Sequence, residues 1–417
     1  MADRGEPGAP DVADLSDAPP SGPTAAIELS LDVTAVPVDP VGAGQYTIKL
    51  AQALAARPEV DLLLVSRRAD GDRWRTLVPS AALATAAPEH RPLRLAWEQV
   101  RLPALLRNHR VGVHHGPHYT MPERSKVPSV VTVHDLSFFE EPQWHERSKA
   151  LFFRRAIKVA AADAAAVVCP SRATAAQLDR WCTVSTEVFV AHHGVDTDRF
   201  RPTEPVEGSD ARALAGVDDR LVATGSPRPV LLFVGTLEPR KDVPTLVRAF
   251  DRVAGRHPDA LLVLASGAGW GADDVERAVA GSRAADRVLR TGYVADEVVP
   301  ALLRRATAAV YPALYEGFGL PALEALACGT PLVTTSGTAM EEVAGDAAML
   351  VTPGDLAGLT DVLDAVLAAS GSGGTGPGDS VRRRARGFEI VGRHTWEASA
   401  VRHLVAYRHS LAHGGRD

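Results

Sequence analysis

Short apolar runs rich in β-branched residues alternate with longer helical patterns from about residue 26 onward. The first series of these runs lies near 26–33, 61–65, 111–115, 129–133, 165–169 and 188–191, with helical patterns at 46–56, 98–107 and 148–162 between them. Because strands that alternate with helices form parallel sheets on which the helices pack, the sequence predicts an α/β fold.

A polar stretch with several Pro and Gly residues, 201–229, interrupts the alternation, and the series restarts at Val230. The second series has strand-like runs at 260–265, 288–291, 308–312, 331–334 and 348–351. A chain of 417 residues is longer than one hydrophobic core usually organises. The sequence therefore predicts an N-terminal Rossmann-like domain at 25–205, a linker at 206–229 and a C-terminal Rossmann-like domain at 230–392.

The two ends of the chain are predicted to differ from these domains. Residues 1–24 are rich in Pro, Gly, Asp and Ala and lack the basic start and apolar core of a signal peptide, so they are predicted to form a disordered tail. A Gly/Ser-rich surface loop is expected at 370–380. Beyond it, the spacing of Trp396, Ala400, Val401 and Leu404 predicts a final amphipathic helix.

The composition argues against several classes of protein. Charged residues make up 23% of the chain and the net charge is −6, which gives no electrostatic case for binding nucleic acid. No run of about 18 apolar residues is present that would span a membrane. Cys169, Cys182 and Cys328 are too few and too scattered for a disulfide framework or a zinc site, so a cytoplasmic protein without a bound metal is expected.

Basic residues recur along the helical pattern that begins at Arg147. Arg154 and Lys158 share a face with Arg147, whereas Phe152 and Ile157 lie on another face. This pattern has two interpretations. The helix could rest on an anionic membrane surface, or it could be solvated on its basic side while its apolar side packs on its own sheet.

The segment YEGFGLPALE at 315–324 carries the strongest functional signal. It joins a strand that ends near Pro312 to a helix that begins near Pro321, and proline suits a first helical turn. Its glycines let a ligand approach the backbone, and the helix N-terminus attracts an anion such as a diphosphate. Glu316 and Glu324 can border the same pocket and accept hydrogen bonds from sugar hydroxyls. Otherwise, Glu324 would only complement the helix dipole and Glu316 would be solvated.

Further candidate residues follow predicted strands, and ligands of open α/β sheets bind at the carboxyl ends of strands. Arg240 and Lys241 follow the first strand of the second series and are either diphosphate ligands or solvated surface charges. His134 follows a β-branched strand of the first series and is either a ligand of sugar or phosphate oxygens or a structural histidine. The Gly42–Gly44 loop precedes a helix, but Thr47 replaces the third glycine of a dinucleotide fingerprint, which argues against an NAD enzyme.

Several motifs occur in an order that is typical of one enzyme family. They are LDVTA at 31–35, the Gly42–Gly44 loop, VHDL at 133–136, CPSRAT at 169–174, HGVD at 193–196, VGTLEPRK at 234–241 and the 316–324 segment. Over about residues 29–396 the chain thus resembles the family 4 glycosyltransferases, and especially their bacterial mannosyltransferase-like members. The resemblance implies the GT-B fold, in which two Rossmann-like domains face each other across a cleft, with a last helix at 393–413 that returns to the N-terminal domain.

The resemblance also implies roles for individual residues. Arg240 and Lys241 would bind the diphosphate of a nucleotide-sugar donor, and Glu324 would bind its ribose. The implied catalytic residues are His134, which lines the catalytic centre, and Glu316, which contacts the transferred sugar. The full set implied for donor binding is Gly44, Arg240, Lys241, Glu316, Gly317, Phe318, Gly319, Leu320 and Glu324.

The reaction implied by the resemblance is transfer with retention of anomeric configuration, by a front-face route that needs no metal and no other cofactor. GDP-mannose is the expected donor, and the expected acceptor is a hydroxyl of a glycan, a lipid-linked saccharide or a glycolipid. Two alternatives stay open: a sugar-nucleotide epimerase of the same fold, and a non-catalytic scaffold that binds nucleotide-sugars. Asp242 and His193 stand where Asn is common in this subgroup, which puts the local hydrogen bonding in doubt.

Overall fold

The computed structural model describes residues 26–204, 206–221, 228–267, 269–371 and 379–414. These residues form a parallel sheet of seven strands and a second parallel sheet of six strands, with helices packed on both. The predicted α/β architecture is therefore confirmed. The tail predicted at 1–24 lies outside the described residues, as does 372–378, which is most of the loop predicted at 370–380.

The first sheet has the strand order β3-β2-β1-β4-β5-β6-β7. Its strands are β1 (Ile27–Asp32), β2 (Val60–Arg67), β3 (Ala82–Ala87), β4 (Val113–Gly116), β5 (Ser129–Thr132), β6 (Ala166–Cys169) and β7 (Glu187–Val190). Its helices are α1 (Ala43–Ala55), α2 (Gly71–Leu77), α3 (Arg91–Val100), α4 (Leu102–Asn108), α5 (Ser137–Glu140), α6 (Arg147–Asp163) and α7 (Arg172–Trp181). The strand order reverses at β1 and β4, so the loops after β1, β4 and β5 meet at one edge of the sheet.

The second sheet has the order β10-β9-β8-β11-β12-β13. Its strands are β8 (Val230–Val234), β9 (Leu261–Ala265), β10 (Val288–Gly292), β11 (Ala308–Tyr311), β12 (Leu332–Thr335) and β13 (Ala348–Val351). The remaining helices are α8 (Ser209–Ala215), α9 (Val243–Ala254), α10 (Ala272–Ala280), α11 (Val299–Arg305), α12 (Leu320–Ala327), α13 (Ala339–Ala344), α14 (Leu356–Gly371), α15 (Asp379–Arg393) and α16 (Trp396–His413). Because β8 and β11 are neighbours, the loops after them lie side by side.

Two elements differ from the sequence prediction. The structure adds β3, an edge strand of the sequence ALATAA whose small residues give little strand signal. The single helix predicted at 98–107 is instead α3 followed by α4. The break falls at Arg101, because Pro103 lies in the first turn of α4 and proline there cannot continue the preceding helix.

The segment predicted as a linker, 206–229, is structured in part. Its helix α8 places Leu214 in the core of the second sheet, together with Val195 and Phe200. Asp210 of the same helix accepts two hydrogen bonds of 2.6 Å from Arg304 on α11. The polar composition of this segment conceals these contacts, which attach it to the second domain.

The last helix, α16, packs on the first sheet although it follows the second one in the chain. Trp396, Ala400, Leu404 and Tyr407 lie in the same core cluster as residues of β1 and α1. The chain therefore passes between the domains twice, and α16 supports the back of the strands that carry the first domain's loops. None of the helices that the structure describes combines the length and apolar character needed to cross a membrane.

Candidate donor site and catalytic centre

The two domains meet where the loop after β11 contacts the loop after β5. A Cβ atom placed on Gly317 would lie only 2.0 Å from the backbone oxygen of His134, so glycine is required for this approach. The carbonyl of Gly317 accepts hydrogen bonds from the hydroxyls of Ser171 (2.8 Å) and Thr174 (2.9 Å). The backbone N–H of Leu136 also donates to the Tyr315 hydroxyl at 2.7 Å. The structure thus brings the predicted His134 and the 315–324 segment together.

Arg240 follows β8 and reaches the loop after β11. Its Nη1 lies 2.6 Å from Glu316 Oε1, and its Nε donates to Glu238 Oε2 at 2.6 Å. Burial disfavours a charged guanidinium, but the carboxylates of Glu316 and Glu238 outweigh it and raise the pKa of Arg240. Arg240 is therefore a fixed cation at the junction of the two loops.

Lys241 lies beside Arg240 and is buried more deeply. Its ammonium group covers the backbone of Gly235, where a Cβ atom would approach within 2.7 Å of Nζ. Burial and the neighbouring Arg240 guanidinium lower the pKa of Lys241. Lys241, Glu316, Pro321 and Met340 line one small hollow at the start of α12. The Lys241 cation thus lines the hollow beside the N-terminus of α12, and Arg240 lies next to it through its ion pair with the lining residue Glu316.

The glycine and apolar residues of the 315–324 segment shape this helix start. Gly319 has φ +109°, and a Cβ atom there would lie 2.3 Å from Met340 Sδ, so only glycine fits. Leu320 begins α12. The ring of Phe318 is only 4% exposed and packs 4.6 Å from the His193 ring. Its side chain belongs to the core, so a donor contact at position 318 would fall to its backbone.

Glu324 lies one turn inside α12 and is partly buried. Burial raises its pKa to about 7, although the Arg199 guanidinium acts in the opposite direction. Arg199 and Asp296, whose charges act on Glu324, also line an interdomain cavity of 740 Å³ with Gln45 and Lys49 of α1. Glu324 thus lies close to charged residues that line a cavity between the domains, and α1, whose first turn contains Gly44, lines the same cavity.

His134 is held by the loop after β4. Its Nε2 donates to the carbonyl of Pro117 at 2.7 Å, and burial lowers its pKa, so the ring is neutral at pH 7. The ring of Tyr46 stands edge-on to it, with centroids 5.0 Å apart. Tyr46 on α1 comes two residues after Gly44. A Cβ atom placed on Gly44 would lie 3.0 Å from Pro40 Cβ, so the chain packs tightly at the start of α1. The contact between Tyr46 and His134 places this start close to the same centre.

A buried hydrogen-bond chain that the sequence did not reveal runs behind His134. Its polar groups come from α16, β4, β5 and α1. Nδ1 of His403 donates to the carbonyl of Ser399, so its Nε2 accepts from the Tyr46 hydroxyl at 2.8 Å. Tyr46 then accepts from Thr132 at 2.9 Å, and Thr132 accepts from His115 Nε2 at 2.8 Å. The chain ends with Tyr407, which donates to His115 Nδ1 at 2.8 Å.

Every bond of this chain points in one direction when both histidines are neutral. Burial favours that state, because it lowers the pKa of His403 to about 4 and that of His115 well below its ordinary value. The chain of hydrogen bonds ties α16 to Tyr46 beside the catalytic centre.

Within the ranges that the structure describes, no group of three His, Cys, Asp or Glu side chains has an arrangement that could hold a metal.

Comparison with known proteins identifies the family. Residues 40–199 match the model of Glycosyltransferase Family 4, and residues 228–369 match the model of Glycosyl transferases group 1. The two matches together span both sheets. The chain belongs to the family 4 glycosyltransferases. As a glycosyltransferase it is an enzyme, and the resemblance seen in its motifs is confirmed.

Individual relatives of this glycosyltransferase include two mannosyltransferases. It is 27% identical to O-antigen chain mannosyltransferase B of Escherichia coli over 392 residues, which cover 88% of this chain and 96% of the relative. It is 32% identical to MMP alpha-(1->4)-mannosyltransferase of Mycolicibacterium hassiacum over 229 residues, which cover 54% of this chain and 49% of the relative.

Solved structures show that this glycosyltransferase has the GT-B fold. Sucrose-phosphate synthase from Thermosynechococcus elongatus aligns with a TM-score of 0.73 and 22% identity, covering 92% of this chain and 99% of that chain. HepE from Anabaena, solved in complex with UDP and glucose, aligns with a TM-score of 0.66 and 18% identity, covering 91% and 98% of the two chains. The two Rossmann-like domains predicted from the sequence are confirmed.

Proposed function

We propose that the protein transfers a mannosyl group from GDP-mannose to a hydroxyl of a glycan, lipid-linked saccharide or glycolipid, with retention of anomeric configuration. The observation that carries this proposal is the meeting of Arg240, Lys241 and Glu316 with the His134 loop across Gly317. These groups provide an anion-binding site and sugar-binding side chains at one point of the cleft. A cytoplasmic protein, in contact with the membrane where the acceptor is lipid-linked, is part of the same proposal.

Two observations support GDP-mannose as the donor. Two relatives are mannosyltransferases, one of which matches most of both chains. The cavity beside Glu324 carries the carboxylate of Asp296, and a carboxylate suits the N1–H and 2-amino donors of guanine. A cavity of 740 Å³ has room for a purine base.

The chemistry that we propose is a front-face displacement. The bond between the anomeric carbon and the departing phosphate oxygen breaks while the bond to the acceptor oxygen forms on the same face. The acceptor's proton passes to the departing phosphate. Arg240 and Lys241 stabilise the charge that develops on the leaving diphosphate, which removes the need for a metal ion.

In this proposal, Glu316 and His134 bind the transferred sugar. The Glu316 carboxylate accepts a hydrogen bond from a hydroxyl of the transferred sugar, while Arg240 keeps the carboxylate in place. His134 is neutral and donates through Nε2 to Pro117, so its Nδ1 is able to accept a hydrogen bond from a hydroxyl of the sugar. Closure of the two loops over Gly317 excludes water and so protects the donor from hydrolysis.

The experiment that tests this function is turnover of a panel of GDP- and UDP-sugars by the purified protein, with and without EDTA. We expect transfer or slow hydrolysis from GDP-mannose that resists EDTA and is lost in Arg240→Ala and Glu316→Ala. Arg256→Ala, at an exposed arginine that pairs with Asp364 far from the cleft loops, serves as the control and should keep full activity. Activity that survives both site substitutions would contradict the site.

The two alternatives have their own signatures in the same experiment. An epimerase would convert the donor alone into an isomeric sugar without any acceptor. A non-catalytic scaffold would bind a nucleotide-sugar and leave it unchanged in every condition. Product analysis after incubation with the donor alone therefore separates all three functions.

A further inference from the structure

Helix α3 presents an apolar stripe to solvent. Leu93, Ala96 and Val100 are spaced three and four residues apart, share one face and are all exposed, Leu93 by 59% and Val100 by 71%. The buried position of the same helix is a carboxylate, Glu98, which is 5% exposed. A helix on the surface of a globular domain normally has the opposite arrangement. Trp97 keeps part of the inner side apolar by packing on the core cluster of Leu102 and Leu106, so the departure from the normal arrangement is the exposed apolar stripe.

Two neighbouring segments extend this face. Gln99 of α3 donates to the carbonyl of Met121 at 2.9 Å and accepts from the N–H of Glu123 at 3.0 Å. Glu123 in turn pairs with Arg155 of α6 at 2.6 Å. The Arg91 guanidinium lies 5.6 Å from the ring of Phe153, also on α6. Residues 91–101, 121–127 and 147–158 therefore form one continuous surface, here named the α3–α6 surface.

The α3–α6 surface is strongly basic. Its three segments contain ten Lys and Arg residues and two Glu residues, in a chain whose net charge is −6. Of these acids, Glu98 is buried and Glu123 is neutralised by Arg155. The exposed cations Arg101, Arg124, Lys126 and Arg147 form no ion pair with any described residue.

A further apolar side chain lies among these cations. Leu151, at the start of α6, is 67% exposed. Apolar side chains surrounded by cations match the interface of an anionic bilayer, where acyl chains meet negative headgroups.

The α3–α6 surface lies next to the catalytic centre. Phe153 of α6 contacts the ring of Tyr119 with centroids 5.2 Å apart, and Tyr119 contacts the ring of His134 at 5.6 Å. Two ring contacts thus separate the outer helix from the residue that borders the transferred sugar. A molecule anchored in a bilayer under α6 would have its headgroup within reach of the first domain's loops.

We propose that the α3–α6 surface docks on an anionic lipid bilayer, with Leu93, Val100 and Leu151 inserted among the headgroups and the basic side chains around them. The docked enzyme holds its first domain against the membrane and receives an acceptor that is anchored there. This inference rests on the proposed function only for the nature of the acceptor. Docking itself is independent of the donor and of turnover.

Flotation of the full chain with vesicles tests the surface. We expect binding to phosphatidylcholine vesicles that contain phosphatidylglycerol, little binding to phosphatidylcholine alone, and release by added salt. Leu93→Ser/Val100→Ser should weaken vesicle binding at least about tenfold, because the apolar stripe is lost. Arg124→Gln, Lys126→Gln and Arg147→Gln should each weaken it by about fivefold. Val381→Ser, at an equally exposed position of the second domain (61%), should leave it unchanged.

Turnover of the donor in the absence of vesicles separates this inference from the proposed function. We expect Leu93→Ser/Val100→Ser to keep donor turnover, since these side chains are exposed on the first domain, whereas Arg240 and Lys241 follow a strand of the second sheet. Equal binding to neutral and anionic vesicles, or binding that the substitutions do not weaken, would overturn the inference. A dimer in solution that Leu93→Ser/Val100→Ser dissociates would also overturn it, and would assign the stripe to a second copy of the chain.

Discussion

Arg240 Nη1 lies 2.6 Å from Glu316 Oε1, and this ion pair connects the loops that follow the neighbouring strands β8 and β11. Both side chains are mostly buried, with 23% and 16% of their side-chain surfaces exposed. Removal of Arg240 therefore leaves the Glu316 carboxylate without its ion-pair partner in a partly dry site, whereas removal of Glu316 leaves Arg240 paired with Glu238. When a nucleotide-sugar binds, the N–H groups of Arg240 would be divided between Glu316 and the diphosphate.

The first prediction concerns Arg240. Arg240→Ala should lower kcat by about 100- to 1000-fold and change KM for the donor less, because the cation acts most strongly on the charge of the leaving group. Arg240→Lys should recover only part of the loss, since an ammonium cannot make the paired contacts of a guanidinium. Steady-state kinetics with the preferred donor measures both. Arg256→Ala, which removes an exposed guanidinium that pairs with Asp364, is the control and should keep kcat.

The second prediction concerns the contact at Gly317. The methyl group of Gly317→Ala would have to occupy space 2.0 Å from the backbone oxygen of His134, so the two loops must separate. We expect kcat to fall by about 100-fold, because a displacement of this size misaligns the reacting groups. The midpoint of thermal unfolding should change little, since each domain has its own core. Gly255→Ala, whose added methyl meets open space, should keep normal activity, and an equal loss there would contradict the explanation.

Much of the fold could be predicted because its signals are local. The strand and helix patterns are read from neighbouring residues, and β8 and β11 become neighbours once the sheet is parallel and doubly wound. The elements that the sequence did not predict are those without a local signal. The edge strand β3 consists mostly of small residues, and α8 is a short helix in a polar segment from which Leu214 reaches the second core.

Part of the candidate site was also predictable, because its residues stand in local motifs that follow strands. Arg240 and Glu316 stand in motifs that follow strands, so their encounter follows from the topology. The link between Tyr46 and His403 joins residues 357 positions apart, and no spacing in the sequence points to it. The unusual placement of Glu98 on the buried face of α3 also needs the structure, because the helical pattern alone favours burial of Leu93 and Val100.

The third prediction concerns the pH dependence of donor binding. Burial raises the pKa of Glu324 from 4.5 to about 7, so the carboxylate ionises only as the pH passes neutrality. Ribose hydroxyls donate to the ionised form, so donor binding should strengthen as the pH rises. We expect KM for the donor to fall about tenfold between about pH 6 and about pH 8. Glu324→Gln should abolish this dependence.

The control for Glu324 is Glu98, a buried carboxylate whose pKa is raised in the same direction. Burial raises the pKa of Glu98 to about 8, but Glu98 lies on α3 and hydrogen bonds to Thr120 in the first domain. Glu98→Gln should therefore keep the pH dependence of KM. If the dependence persists in Glu324→Gln and disappears in Glu98→Gln, the ribose contact has been assigned to the wrong carboxylate.

The last prediction concerns His403, which ties α16 to Tyr46. Burial lowers its pKa to about 4 from 6.5 in the unfolded chain, so the unfolded state binds protons first as the pH falls. The stability that this neutral histidine contributes is fully present above pH 6.5 and is lost progressively as the pH falls toward 4. At about pH 5 the loss should be about 2 kcal/mol of the free energy of unfolding. Urea unfolding at about pH 7 and about pH 5 measures it.

Three single variants and one double variant separate the effect of His403 from that of the other groups in the hydrogen-bond chain. His403→Gln cannot take up a proton, so its own loss of stability between the two pH values should be smaller than that of the wild type by about 2 kcal/mol. His109→Gln, at an exposed histidine, should behave like the wild type. Tyr46→Phe removes the donor to His403 Nε2 and should cost about 1–3 kcal/mol at pH 7, because buried partners lose their hydrogen bonds. A combined cost of Tyr46→Phe and His403→Gln equal to the sum of the single costs would show that the two side chains do not act through one chain of hydrogen bonds.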